Sequence, residues 1–172
     1  MKILAVIDMQ NDFIDGSLGT AEAVAIVDNV AKKIEEFRTP DCEIVFTRDT
    51  HYEDYLSTME GKKLPVEHCI KGTHGWEISE KLDTSGCTII NKPTFGSYEL
   101  AEFIAANPRI DEVVIVGLCT DICVISNALL IRSMNPTLDI SVLSNLCKGS
   151  DEDSHRAALQ VMKNCLIEVK EV

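Results

Sequence analysis

No apolar run in these 172 residues approaches the about 20 residues that a helix needs to cross a bilayer; Val113–Gly117 is typical of the longest. No secretory leader is expected either, since Met1-Lys2-Ile3 passes directly into a strand-like run. Clustered Lys and Arg are absent. With 16 basic against 28 acidic residues the net charge is −12, and no basic stripe exists to grip phosphates, so a nucleic-acid partner is disfavoured. The 7 cysteines are odd in number and include no CxxC pair, which argues against a disulfide framework and leaves most of them as small buried hydrophobes. Internal repeats and low-complexity linkers are lacking as well. These absences leave a cytoplasmic globular protein. The 45% apolar and 26% charged content fits that class, and the length fits one domain over residues 1–172.

What the sequence does contain is a rhythm. Short Ile- and Val-rich runs alternate with amphipathic segments, the pattern of βα units around a parallel sheet. Strands are expected at Ile3–Asp8, Glu43–Thr47, Thr88–Asn91, Val113–Leu118, Ile140–Ser144 and Ile167–Lys170. Helices are expected at Ala21–Phe37 and Tyr98–Ala106 (N-cap Ser97), from Thr120 or Asp121 to about Met134, and at Glu152–Asn164 behind Ser150 or Asp151. The fold class is therefore α/β: a doubly wound, mostly parallel six-stranded sheet with helices on both faces. Arg48–His74 is the one long irregular stretch, and loops of that length in compact domains are usually functional.

Open α/β sheets bind ligands beyond the carboxyl ends of their strands. Out-of-place polar residues should gather there, and they do: Asp8 closes the first run, Asp49 follows the second, Lys92 the third, and Cys119 to Cys123 the fourth. The stretch EVVIVGLCTDIC, ending at Cys123, reads as a buried strand turning sharply into a helix. With Thr120 as N-cap, Cys123 falls in the first helical turn, where free N–H groups and the helix dipole favour a thiolate. The alternative is a thiol that only packs. Cys119 competes from the turn before the helix. Asp8 could take the thiol proton and return it to a leaving amine, or it could simply cap the following turn, a role that suits Asp12 better. Lys92 could hold Asp8 ionised, or be an ordinary exposed lysine. Asp49, His51 and His68 are a suitable ligand set for Zn²⁺ or Fe²⁺. His155, in a polar helix, needs no more than a surface role.

Together these segments resemble the isochorismatase-like cysteine hydrolases, and within them the nicotinamidase branch. Ile7-Asp8-Met9-Gln10-Asn11-Asp12-Phe13, Thr47-Arg48-Asp49-Thr50-His51, His68-Cys69, Lys92-Pro93-Thr94-Phe95-Gly96-Ser97 and Val116–Val124 match that family's motifs in order, across nearly the whole chain. The resemblance implies Cys123 as nucleophile, Asp8 as base, Lys92 as third member, and Asp49, His51 and His68 as metal ligands. It also implies a cis peptide between Leu118 and Cys119, an oxyanion hole from the backbone N–H groups of Cys119 and Cys123, Phe13 lining the pocket, and a homo-oligomer. The implied reaction is hydrolysis of a small carboxamide, nicotinamide above others, through a thioester. A ureido or N-carbamoyl substrate is the alternative within the fold, and a non-catalytic metal-binding scaffold is the alternative outside enzymology. Two departures bear on the substrate. Leu64-Pro65-Val66-Glu67 precedes His68 where nicotinamidases carry a ring-stacking tryptophan, and Tyr55 stands near the position of a further metal-loop histidine.

Overall fold

The structure, a computed structural model, describes residues 1–172. Its strands are β1 (Lys2–Ile7), β2 (Cys42–Asp49), β3 (Thr88–Lys92), β4 (Glu112–Leu118), β5 (Asp139–Lys148) and β6 (Glu168–Lys170). All pair in parallel in one six-stranded sheet of order β3-β2-β1-β4-β5-β6. The helices are α1 (Asn11–Ile14), α2 (Ala21–Glu36), α3 (Met59–Lys63), α4 (Tyr98–Ala105), α5 (Ile125–Met134) and α6 (Glu152–Asn164). None is long and apolar enough to cross a membrane.

Period-two alternation explains the layering. On β1, Ile3, Ala5 and Ile7 face one core with Leu100 and Ile104 of α4, Ala128 and Ile131 of α5, and Met162 of α6. Leu4 and Val6 face the opposite core with Ile26, Val27, Val30 and Ile34 of α2. Because β1 is covered on both sides, its sequence is continuously apolar, as central parallel strands are. Helix starts follow capping chemistry: Thr20, Ser97 and Asp151 accept from Ala23, Leu100 and Ser154 N–H groups.

The sheet order reverses between β1 and β4, so their carboxyl ends open a crevice at that switch point. Gly117 makes the close pairing there possible. It sits at φ +121°, and a Cβ on it would lie 2.1 Å from the Ile7 carbonyl oxygen. Two expectations need correction. β5 runs on to Lys148, because an irregularity shifts its register against β4 between Ile115↔Val142 and Gly117↔Cys147 and masks the alternation beyond Ser144. The segment after β4 is not a regular capped helix. It is a wide π-type turn at Thr120–Val124, with Val124 N–H donating to Cys119 C=O at 3.0 Å, and the α-helix begins only at Ile125.

Candidate active site

Asp8 leaves β1 at φ +46°, a left-handed conformation fixed by its surroundings. Its N–H donates to Thr47 Oγ1 (3.2 Å), and Thr47 Oγ1 donates to Asp8 Oδ1 (2.6 Å). The remaining oxygen, Oδ2, pairs with Lys92 Nζ at 2.7 Å. Lys92 is the last residue of β3, two strands away, and its stem reaches across β2 to the crevice. The ammonium also touches Thr94 O (3.1 Å), Asp49 Oδ1 (3.4 Å) and Cys123 Sγ (3.4 Å). Asp8, Lys92 and Cys123 are 0, 1 and 4% exposed. Strand-end placement thus brings the three side chains together, and Lys92 is anything but a surface lysine. The Leu118–Cys119 peptide is cis, and Cys119 lies half-buried at the mouth of the turn.

The electrostatics revise one expectation. Burial pushes the Cys123 thiol well above its ordinary range and the Asp8 charge adds to that, while Lys92 opposes it. A thiolate here would be a second anion beside a carboxylate that already occupies the ammonium. Burial and the Asp8 charge thus favour the thiol form of Cys123 over the thiolate, and the residue lies in the π-type turn before the regular helix begins. Burial also raises Asp8, with Lys92 opposing and Asp49 adding to the rise. Lys92 stays charged: burial works against it, but Asp8, Cys123 and Asp49 together outweigh burial.

Beside the triad lies a second cluster. Asp49, His51, Glu60 and His68 each offer one ligand atom, and these atoms all lie within 4.8 Å of one another. Asp49 Oδ2 is 3.0 Å from His51 Nε2 and 3.7 Å from His68 Nε2, and Glu60 Oε1 is 3.7 and 3.5 Å from the same nitrogens. His68 Nδ1 faces Val66 O at 2.8 Å, which commits its proton there and leaves the Nε2 lone pair for the cluster. Two carboxylates and two imidazoles converging in a buried space form a donor set suited to a divalent ion of the Zn²⁺ or Fe²⁺ type. The residues fit a metal.

Glu60 escaped the sequence reading. It rides on α3, N-capped by Thr58 Oγ1 accepting from Gly61 N–H at 3.0 Å. α3 packs so tightly on the preceding turn that a Cβ at Gly61 would meet Tyr55 O at 2.1 Å. Tyr55 itself turns its hydroxyl away to Leu64 O (2.9 Å), and its ring packs on His51 and His68 at centroid distances of 4.7 and 5.0 Å. Gln10 was missed as well. Its amide exchanges hydrogen bonds with both Asp49 N–H (2.7 Å) and Asp49 C=O (2.8 Å), bracing that backbone. Asp12 does not cap the turn after β1, where Gln10 is the N-cap of α1 without a side-chain bond; it lies within α1 and accepts from the Ser17 and Cys69 N–H groups, tying the metal-loop region to this turn. His155 corrects the surface reading. It is 6% exposed, with Nδ1 at 2.8 Å from Thr120 Oγ1, so Thr120 is engaged sideways and does not cap α5.

Phe13 is half-buried, its ring 5.5 Å from that of His68. Trp76 does not replace the missing ring platform. Arg48 stacks over it at 3.7 Å, its Nε1 donates to Thr50 Oγ1 (2.9 Å), and it is 8% exposed.

A family model described as the isochorismatase domain matches residues 2–172. The nicotinamidase/pyrazinamidase of Mycobacterium tuberculosis is 30% identical over 189 residues, covering 98% of both chains. Among solved structures, the pyrazinamidase of Pyrococcus horikoshii in complex with zinc superposes with a TM-score of 0.87 at 29% identity, covering 99% of each chain. The N-carbamoylsarcosine amidase of Thermoplasma acidophilum gives 0.82 at 28%, covering 99% of this chain and 95% of that one. Fold, site and likeness together define a hydrolase acting on amide C–N bonds. The chain belongs to the isochorismatase family.

Proposed function

We propose that this protein is a cysteine-dependent amidohydrolase that cleaves a small carboxamide, with nicotinamide, giving nicotinate and ammonia, as the substrate of first choice. The observation that carries the reading is the buried trio at the switch point, with one ammonium 2.7 Å from Asp8 Oδ2 and 3.4 Å from Cys123 Sγ. A module without chemistry would gain nothing by burying such a trio, since a buried ion pair is often no more stabilising than the apolar residues that could replace it.

Asp8 acts as general base. Its Oδ2 carries no hydrogen-bond donor of its own beyond the ion pair, so a lone pair is free for the thiol proton. As Sγ attacks the amide carbon, the proton moves to Asp8 and negative charge moves to the carbonyl oxygen, where the backbone N–H groups of Cys119 and Cys123 serve as oxyanion donors. Lys92 offsets the anionic charge of the pair throughout. Collapse of the tetrahedral intermediate breaks the C–N bond, Asp8 returns the proton to the departing nitrogen, and ammonia leaves a thioester. Water, deprotonated by Asp8, then attacks that thioester, releasing the acid and restoring the thiol.

Asp49, His51, Glu60 and His68 hold a divalent ion in this reading, supported by their convergence and by the zinc in the Pyrococcus relative. Such an ion supplies a Lewis-acidic anchor for a neutral donor atom of the substrate, such as a pyridine nitrogen. Phe13 flanks that position.

A second reading, an N-carbamoyl substrate, is favoured by one observation: Leu64–Glu67 offers no aromatic platform and Trp76 is packed away under Arg48. Ammonia release from nicotinamide, pyrazinamide and N-carbamoyl amino acids, with Cys123→Ala as control, tests both. Turnover of nicotinamide lost in the control is expected. A panel without turnover, or an active Cys123→Ala protein, would sink the proposal.

A further inference from the structure

The catalytic lysine stands where the sheet stops supporting its chain. Lys92 C=O accepts the last rung, from Thr50 N–H at 2.9 Å, and Pro93 then removes the next donor. Residues 93–97 must be held by something else, yet the ammonium depends on them, because Thr94 O is one of its acceptors at 3.1 Å.

Asn127 meets that need. It lies on α5 one turn beyond Cys123, is 0% exposed, and uses both amide donors and its acceptor oxygen. Oδ1 accepts from Ser97 N–H at 2.9 Å, while Nδ2 donates to Phe95 O at 3.2 Å and to Cys123 O at 2.8 Å. One planar group therefore clasps the lysine loop at two points and the nucleophile's own carbonyl at a third. No other uncharged side chain but Gln presents an acceptor and two donors on one plane, and Gln is longer by a methylene.

We propose that Asn127 is the positioning residue that sets the separation between the Lys92 ammonium and Cys123 Sγ, by fastening the 93–97 loop to the nucleophile turn. The roles of Lys92 and Cys123 in this inference rest on the amidohydrolase reading. A purely structural asparagine could satisfy the same loop while leaving the reacting groups untouched, and that difference is measurable.

Asn127→Leu keeps the approximate volume and removes all three bonds. Asn127→Thr, which keeps one donor and one acceptor, provides the gentler variant should the leucine protein not fold. The readouts are kcat and KM for ammonia release from nicotinamide, the pH midpoint for iodoacetamide alkylation of Cys123 followed by peptide mass, and a thermal melt. A small misplacement of reacting groups predicts a kcat lower by about 10–100-fold with KM changed by less than about threefold. The alkylation midpoint should move upward in a protein that still melts cooperatively, because the ammonium has drifted from the sulfur. A folded variant with native kcat, or an unmoved midpoint, overturns the assignment even if its melting temperature falls. A native protein that hydrolyses no amide would overturn the amidohydrolase reading instead, and the alkylation midpoint would still decide the role of Asn127.

Discussion

Replacing Lys92 by methionine removes the counter-ion of a carboxylate with no access to water, since Asp8 is 0% exposed and its Oδ2 has only the ammonium at 2.7 Å. Breaking one side of a buried ion pair costs about 3–5 kcal/mol. Asp8 can limit that loss by taking up a proton. At pH 7, protonating a carboxyl of reference pKa about 3.9 costs about 4 kcal/mol, so the two routes converge on a similar penalty. For a chain of this size each kcal/mol moves the melting temperature by about 2–4 °C, which puts the expected drop at about 6–20 °C.

The pH dependence distinguishes this cause from a simple packing defect. Burial already raises Asp8 above its ordinary value, and Lys92 is the group that opposes the rise. In the variant the folded carboxyl therefore binds protons more tightly than the unfolded one. A raised carboxyl pKa costs nothing below the unfolded value, and the penalty grows as pH rises toward the folded value. The deficit should accordingly shrink by up to about 1.4 kcal/mol per unit between pH 7 and pH 5. Calorimetric melts of native and Lys92→Met protein at pH 5, 6 and 7.5 measure this. Asp8→Asn in the same chain should recover most of the loss by removing the stranded charge. Equal melting temperatures at every pH, or a deficit that widens on acidification, would refute the buried-pair reasoning.

Glu60→Ala should weaken divalent-metal retention at least about tenfold in chelator competition read by elemental analysis, as loss of an inner or supporting ligand does; undiminished affinity would exclude it from the donor set. Catalytic activity should fall on the acid side at a pH above the ordinary carboxylate range, because burial raises Asp8 and only its ionised form accepts the thiol proton. A pH–rate profile flat down to pH 4 would contradict that. Gly117→Ala forces a Cβ to within 2.1 Å of Ile7 O at φ +121°, so a loss of about 3 kcal/mol or more is expected in denaturant unfolding, and a neutral effect would mean the β1–β4 contact is softer than drawn.

The sheet was legible because its central strands are buried on both faces, which forces continuous Ile and Val runs such as Ile3–Ile7 and Val113–Val116. The strand-end rule then brought Asp8, Lys92 and Cys123 to one rim without any long-range information. What escaped is instructive. Glu60 sits on a five-residue helix inside an irregular stretch, one of 28 acidic residues, and carries no spacing signature relative to His51 or His68. His155 lies among Asp, Ser and Arg neighbours, so the helix looked polar all round, although its one buried stripe holds His155, Ala158 and Met162. Asn127 did leave a signal: an amide beside Ser126 in a mostly apolar segment, four residues after Cys123 and therefore on its face of the helix. The thiolate expectation is opposed by an influence of a different kind. Helix position is readable locally, but the carboxylate that competes for the ammonium comes from another strand.

Asp49 divides its two oxygens between neighbours, Oδ1 toward Lys92 at 3.4 Å and Oδ2 toward His51 at 3.0 Å. A single resonance-linked carboxylate is thus a shared wall between the proton-transfer chemistry and the metal cluster, and whatever draws electron density to one side withdraws it from the other. Genetic dissection inherits that sharing. Substituting Asp49 removes a candidate metal donor and a lysine partner at once, so its phenotype cannot be assigned to either, and effects of Asp49 and Lys92 changes should fail to add. His51, Glu60 and His68, which do not touch the ammonium, are the positions through which the proposed metal site can be interrogated alone.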